Sequence, residues 1–158
     1  MKAIKTNAMR LLDAAGISYD TKQFRVKGAP PDGLSMARML GEDPACVFKT
    51  LVTVGDSGEH YVFMVPVTGE LSLKKAASLA QEKKVEMVKS KGLMKLTGYV
   101  HGGCSPLAMK KDFPCFIDQS ALQQAQILFS AGKIGVQIRM AARELVDFRG
   151  IRPGDLAQ

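Results

Sequence analysis

Val47-Phe48-Lys49-Thr50-Leu51-Val52-Thr53-Val54 is followed by the turn Gly55-Asp56-Ser57-Gly58 and then by His60-Tyr61-Val62-Phe63-Met64-Val65-Pro66-Val67. Two runs rich in β-branched and aromatic residues around a Gly/Asp/Ser turn predict an antiparallel hairpin. Side chains along a strand alternate between faces, so apolar residues at successive positions mean that both faces are covered. The hairpin is therefore predicted to be central, with packing on either side. Lys49 falls on one face with Val47 and Leu51, which places its aliphatic stem among apolar neighbours. Two readings fit it. Either the lysine snorkels from an edge strand into water, or its ammonium stands at the lip of a pocket, where reduced solvation lets it hold an anion or polarise a carbonyl.

Upstream of the hairpin, residues 6–15 read as a helix with Asn7 as cap, Met9 and Leu12 on one face and Gly16 as stop. Ile17, Tyr19 and Thr21 alternate as in a strand over 17–24. Gly28, Pro30, Pro31 and Gly33 make 26–33 a long loop, of the kind that often serves as a lid or binding loop. A short helix over 34–40 closes at Gly41, and Asp43-Pro44 starts another turn. Downstream, Ser72 caps a helix running to Ala80, 85–88 is a short strand and 93–96 a short helix. Three more strands are predicted over 115–118, 126–130 and 135–140, with Ser130-Ala131-Gly132-Lys133 as a turn. Residues 141–148 form a closing helix, and Pro153-Gly154 begins a loose tail. Strands and helices do not alternate strictly, which argues against a doubly wound parallel sheet. The expectation is one mixed α/β (α+β) domain over 1–158, with a strand-rich centre and short helices.

The 158 residues are 46% apolar, enough for a core without disulfide or metal staples. A net charge of +7 favours encounter with polyanions, nucleic acid first and an acidic protein second, although it also serves plain solubility. The lysines at Lys74-Lys75, Lys83-Lys84, Lys89, Lys91 and Lys110-Lys111 suit a solvated surface or a phosphate-tracking patch. No aromatic residues interleave with them as in a base-stacking platform. Cys46, Cys104 and Cys115 show no CxxC spacing, and the opening 1–10 is basic with no apolar stretch after it. Both features point to reduced thiols in the cytoplasm. No segment approaches the roughly 20 apolar residues of a membrane span.

Gly102-Gly103-Cys104-Ser105-Pro106 admits main-chain conformations closed to other residues, and its amides are suited to a carbonyl or phosphate oxygen. A tight turn without a ligand fits it equally. It is neither of the common glycine-rich nucleotide loops. A nucleophilic Cys104 needs a lowered pKa and a base; His101 is three residues away, and an incidental apolar cysteine is the better reading. Two histidines, His60 and His101, without clustered carboxylates argue against zinc, and no cofactor is implied. The turn at Ser130, and the strand after it with Gln137 and Arg139, is either an ordinary hairpin or the far wall of a cleft.

Phe48-Lys49-Thr50-Leu51, the strand end Val65-Pro66, Leu71-Ser72-Leu73-Lys74-Lys75-Ala76-Ala77, and Thr97-Gly98-Tyr99 with Gly102-Gly103-x-Ser105-Pro106 form an ordered set. Together, over about 8–148, they resemble the YbaK/EbsC family of the prolyl-tRNA editing superfamily. The resemblance implies a compact domain with a mixed, barrel-like sheet surrounded by short helices. It also implies deacylation of Cys-tRNA(Pro), and of Cys-tRNA(Cys) with it, often beside prolyl-tRNA synthetase. Lys49 matches the family's essential lysine, Gly102 and Gly103 its glycine turn near the aminoacyl ester, and Tyr99 the neighbouring tyrosine. Phe24 falls in a slot where relatives have tyrosine, and Ser130, Ala131 and Gly132 match a small-residue pocket turn. Thr50, Ser105, Pro106 and Gln137 complete the implied substrate-binding set. The implied mechanism is substrate-assisted: the thiol of the bound cysteine attacks its own ester and leaves as a cyclic thiolactone. Deacylation of Ala-tRNA(Pro) or another small aminoacyl-tRNA is the alternative enzymatic reading, and a tRNA- or synthetase-binding regulator the non-enzymatic one.

Overall fold

The computed structural model describes residues 3–158, so Met1 and Lys2 of the basic opening lie outside the described residues. In chain order the elements are α1 (Asn7–Ala14), β1 (Asp20–Gln23), α2 (Gly33–Leu40), β2 (Phe48–Gly55), β3 (His60–Pro66), α3 (Leu73–Ala80), β4 (Val85–Met87) and α4 (Ser90–Thr97). They continue with β5 (Cys115–Asp118), β6 (Gln126–Lys133), β7 (Val136–Ala141), α5 (Ala142–Arg149) and β8 (Arg152–Gly154). The strands form a sheet in the order β4-β2-β3-β5-β8 and a second in the order β1-β7-β6.

The predicted hairpin is central to the larger sheet. Antiparallel β2 and β3 pair from Phe48 opposite Pro66 to Val54 opposite His60. β5 and β8 add in parallel, so the sheet is mixed. A parallel bridge between Val47 and Leu128 joins the two sheets. Alternation then sorts the hairpin into two layers. Phe48, Val52, Val62 and Met64 share the main core with Ile127, Phe129, Ile138 and Met140 of the smaller sheet and with Met9 and Leu12 of α1. On the opposite face Phe63 and Val65 pack with Ala76 and Ala77 of α3. The apolar runs on both faces are explained by these two layers.

Three local expectations need correction. Thr6, not Asn7, caps α1, its Oγ1 accepting the Met9 N–H at 3.3 Å. The strand expected over 17–24 shortens to β1 because Tyr19 turns to α1, where its hydroxyl donates to Asp13 at 2.8 Å. Ser130-Ala131-Gly132-Lys133 is not the hairpin turn; it stays in β6 as an irregularity between Ser130 and Lys133, where Gly132 takes φ +103°. That left-handed conformation is one that side chains other than glycine rarely adopt.

Nor is the tail loose. β8 pairs with β5, Leu71 bridges Ala157, and Leu156 is wholly buried. Without it β5 would be an open edge. The Pro-Gly signal concealed a three-residue strand whose partners lie far away in sequence.

Candidate functional site

A cavity of about 220 Å³ opens along one edge of β2. At Val47 that edge is bridged to Leu128 of β6. From Thr53 to Gly55 it is paired with β4, and the Val88 N–H donates to the Val52 carbonyl at 3.0 Å. Between these closures the strand borders open space through Phe48, Lys49, Thr50, Leu51 and Val52. The opposite wall is the cross-strand pair Ser130 and Gln137. Gly33 and Met36 of α2, Ser90 and Leu93 at α4, and the turn with His101, Gly102 and Cys104 add to the lining. The site is thus a gap between two sheets, held at both ends by hydrogen-bonded backbone.

Its walls are largely apolar, which makes the polar atoms conspicuous. Among the described residues, three buried side-chain oxygens lack a hydrogen-bond partner: Thr50 Oγ1, Ser120 Oγ and Gln137 Oε1. The residues of two of them, Thr50 and Gln137, line the cavity. Leaving such an atom unpaired costs about 1–3 kcal/mol, and native structures tolerate it where a ligand or catalytic role uses the atom. Gln137 is only 3% exposed. Ser130 Oγ is already engaged by the Gly132 N–H at 3.2 Å. Lys49 Nζ stands 3.1 Å from Glu70 Oε2, with the lysine side chain partly covered and the glutamate largely in water.

Burial pushes the Cys104 thiol up to about 12, with a hydrogen bond involving Thr97 acting weakly the other way. At neutral pH it remains protonated, so the cavity offers no thiolate from that residue. Burial, and then the neighbouring Cys104, raise Tyr99 to about 12 as well. The Tyr99 hydroxyl donates to the Leu107 carbonyl at 2.5 Å. A Cβ on Gly132 would lie 2.8 Å from Tyr99 Cε1, so glycine there admits the ring as well as the positive φ.

Of the residues singled out by sequence, Lys49, Thr50, His101, Gly102, Cys104, Ser130 and Gln137 border one cavity. The others stand behind its wall. The Gly103 N–H already donates to the Val100 carbonyl at 3.0 Å, so it is not free to receive an ester oxygen. Ser105 is fully buried and accepts the Leu107 N–H, while the Pro106 carbonyl accepts Arg149 Nε at 2.9 Å. Ala131 belongs to the main core, and Phe24 packs with Val47, Val67 and Leu128. Tyr99 and Gly132 brace each other. These residues shape the turns that carry the lining and do not themselves form it.

Sequence reading missed the apolar lining from Met36, Met87, Val88 and Leu93. Gly33 held a clue, since a Cβ there would lie 2.5 Å from Val67 Cγ1 and keep α2 off the sheet. Asp32 fixes the start of that helix by accepting the Ser35 N–H at 2.8 Å, a bond that lowers its carboxyl pKa. Among the described residues no group of three metal-ligating side chains occurs, and no helix is long and apolar enough to cross a membrane.

The fold and sequence have known counterparts. An Enterococcus faecalis protein that carries the provisional name Cys-tRNA(Pro)/Cys-tRNA(Cys) deacylase EbsC is 42% identical over 142 residues, 90% of this chain and 87% of its own. A crystal structure provisionally described as a trans-editing enzyme for prolyl tRNA synthetase superposes with a TM-score of 0.84 at 22% identity, covering 99% of each chain. A hypothetical protein of known structure gives a TM-score of 0.82 at 22% identity, over 94% of this chain and 97% of its own. The profile of the aminoacyl-tRNA editing domain matches residues 34–148. By that match and the 42% identity, the chain belongs to the aminoacyl-tRNA editing domain family.

Proposed function

We propose that this protein is an aminoacyl-tRNA deacylase that clears cysteine from Cys-tRNA(Pro), and from Cys-tRNA(Cys) by the same chemistry, in the cytoplasm. One observation carries the reading: two residues with an orphaned polar atom, Thr50 (Oγ1) and Gln137 (Oε1), line a small apolar cavity bordered by a lysine and a glycine turn. An aminoacyl ester brings an α-amino group whose N–H donors suit those oxygens, and a small side chain suited to the apolar walls. The name of the Enterococcus relative supports the choice of amino acid.

In the reaction the substrate's own thiol attacks the ester carbonyl. The carbon–sulfur bond forms, the ester carbon–oxygen bond breaks, and the terminal ribose hydroxyl leaves with the thiol proton. Water then opens the thiolactone to free cysteine. The raised pKa of Cys104 suits this division of labour, because no protein thiolate is required. The protein's contribution is orientation, with Lys49 anchoring the ester end or the terminal adenosine and the main chain at Gly102 lining the ester's path. Prolyl-tRNA synthetase supplies tRNA selectivity as a partner.

The deciding experiment measures amino-acid release from Cys-tRNA(Pro), Cys-tRNA(Cys), Ala-tRNA(Pro) and Ser-tRNA(Pro), with and without prolyl-tRNA synthetase. Cysteine is expected to be released fastest. A preference for alanine defeats the thiol-assisted route, and salt-sensitive RNA binding without any release marks a binding module.

A further inference from the structure

Glu70 is absent from the cavity lining, yet its carboxylate meets the lysine that lines it, 3.1 Å from Lys49 Nζ. The two ends of this contact differ. The Glu70 side chain is 78% exposed and the Lys49 side chain 29%, so the carboxylate is the partner free to swing into water. Its main chain is not free. The Glu70 carbonyl accepts the Gln158 N–H at 2.9 Å, and its own N–H donates to the Gln158 carbonyl at 3.3 Å. The neighbouring Leu71–Ala157 bridge and the Asp118 bonds to Leu156 and Ala157 hold that segment in turn. A fixed backbone thus presents an exposed carboxylate to the Lys49 ammonium at the cavity lip.

We propose that Glu70 is a positioning residue: it holds Lys49 at the lip while the cavity is empty and yields it to an anionic group of the RNA 3′ end. The exchange is cheap because an ion pair this exposed contributes little stability. The identity of the incoming anion rests on the deacylase reading; the competition for Lys49 does not. Glu70 therefore acts through Lys49 alone, and its effect disappears when Lys49 is removed.

The test is a double-mutant cycle on the full chain with Glu70→Gln, Lys49→Ala and their combination, read as the affinity for a single-stranded RNA ending in CCA-3′ that carries no amino acid. Glu59→Gln, in the turn at the far end of the hairpin, controls for overall charge. Glu70→Gln is expected to tighten binding about 3-fold and to lower KM for cysteine release with kcat unchanged, as for loss of a competitor in the free protein. In the Lys49→Ala background the gain should vanish. Equal affinity of Glu70→Gln and the parent overturns the proposal, as do the same gain without Lys49, the same gain from Glu59→Gln, or no RNA binding by any variant. Coupled binding without amino-acid release from any charged tRNA would sink the deacylase reading and leave the role of Glu70 standing. Release without coupling would do the reverse.

Discussion

Asp118 and Gln137 are both polar side chains buried on strands, 6% and 3% exposed, and the protein treats them in opposite ways. Asp118 accepts backbone N–H groups from Ser120 at 3.2 Å and from Leu156 and Ala157 at 3.0 Å each. Gln137 Oε1 accepts none. One satisfies its surroundings and fastens the tail to the sheet; the other belongs to the lining of an opening of about 220 Å³. Burial alone therefore does not separate architecture from function in this chain. What sets Gln137 apart is an unpaired oxygen on a residue that lines the cavity, where a bound substrate would remove the penalty; the unpaired Ser120 Oγ belongs to no cavity-lining residue.

The sharpest way to test that division is at Lys49, whose exposed ion pair adds little to folding. Lys49→Ala is expected to lower kcat/KM for cysteine release by about 10²-fold or more while urea unfolding shifts by less than about 1 kcal/mol. A folded variant with undiminished release removes the lysine from the reaction.

Asp118→Ala should show the mirror image. Three N–H groups lose a charged acceptor, so stability is expected to fall by about 2–4 kcal/mol, with cysteine release kept within a few-fold well below the unfolding temperature. The same site carries a pH signature. Burial pushes the carboxyl up, and the hydrogen bonds from Ser120, Ala157 and Leu156 outweigh it, so its pKa lies below the usual value. A carboxyl depressed on folding stabilises the native state above its unfolded pKa, near 3.9, and loses that contribution as pH falls through the lower folded value. Urea midpoints between neutral and strongly acid pH should therefore drop less in Asp118→Asn than in the parent.

At Gln137 the two readouts part company. Gln137→Leu removes the orphaned oxygen, so stability should hold or rise by up to about 1 kcal/mol, while kcat/KM falls about 10-fold. A loss of stability without loss of activity would make Gln137 a structural residue after all and erase the contrast with Asp118.

The central hairpin was legible because its signal is local: two dense β-branched runs around a turn, with a covered face on each side. Ser72 as the cap of α3 and Gly41 as the stop of α2 were legible for the same reason. The course of 130–133 was not, because a four-residue Ser-Ala-Gly-Lys turn and an irregular strand with a positive φ at Gly132 use the same residue types. The docking of 152–158 depends on β5 and on Leu71, contacts without periodicity in the tail itself. In the site, Lys49, Gly102 and Gln137 could be singled out along the chain, but the free edge of β2 that unites them exists only after Val47 has met Leu128 and β4 has stopped at Thr53. Gly103 shows the opposite case. The same glycine pattern that marks a ligand turn also marks a tight turn, and its N–H is spent on Val100.

The smallest expected effect is the most discriminating for mechanism. Cys104 borders the cavity, 6% exposed, where a nucleophile would stand. Its thiol, raised to about 12 by burial, holds a negligible thiolate fraction at neutral pH. Were it nonetheless the nucleophile, Cys104→Ala would remove nearly all release from every charged tRNA and would not distinguish cysteine from alanine. If the substrate supplies the thiol, the variant loses only a small packing contribution, about 1 kcal/mol of stability, and releases cysteine within about 2-fold of the parent. The preference for Cys- over Ala-tRNA(Pro) should survive intact, because selectivity then resides in the substrate's own sulfur. Collapse of that ratio in a folded Cys104→Ala protein would move the reacting sulfur from the substrate to the enzyme.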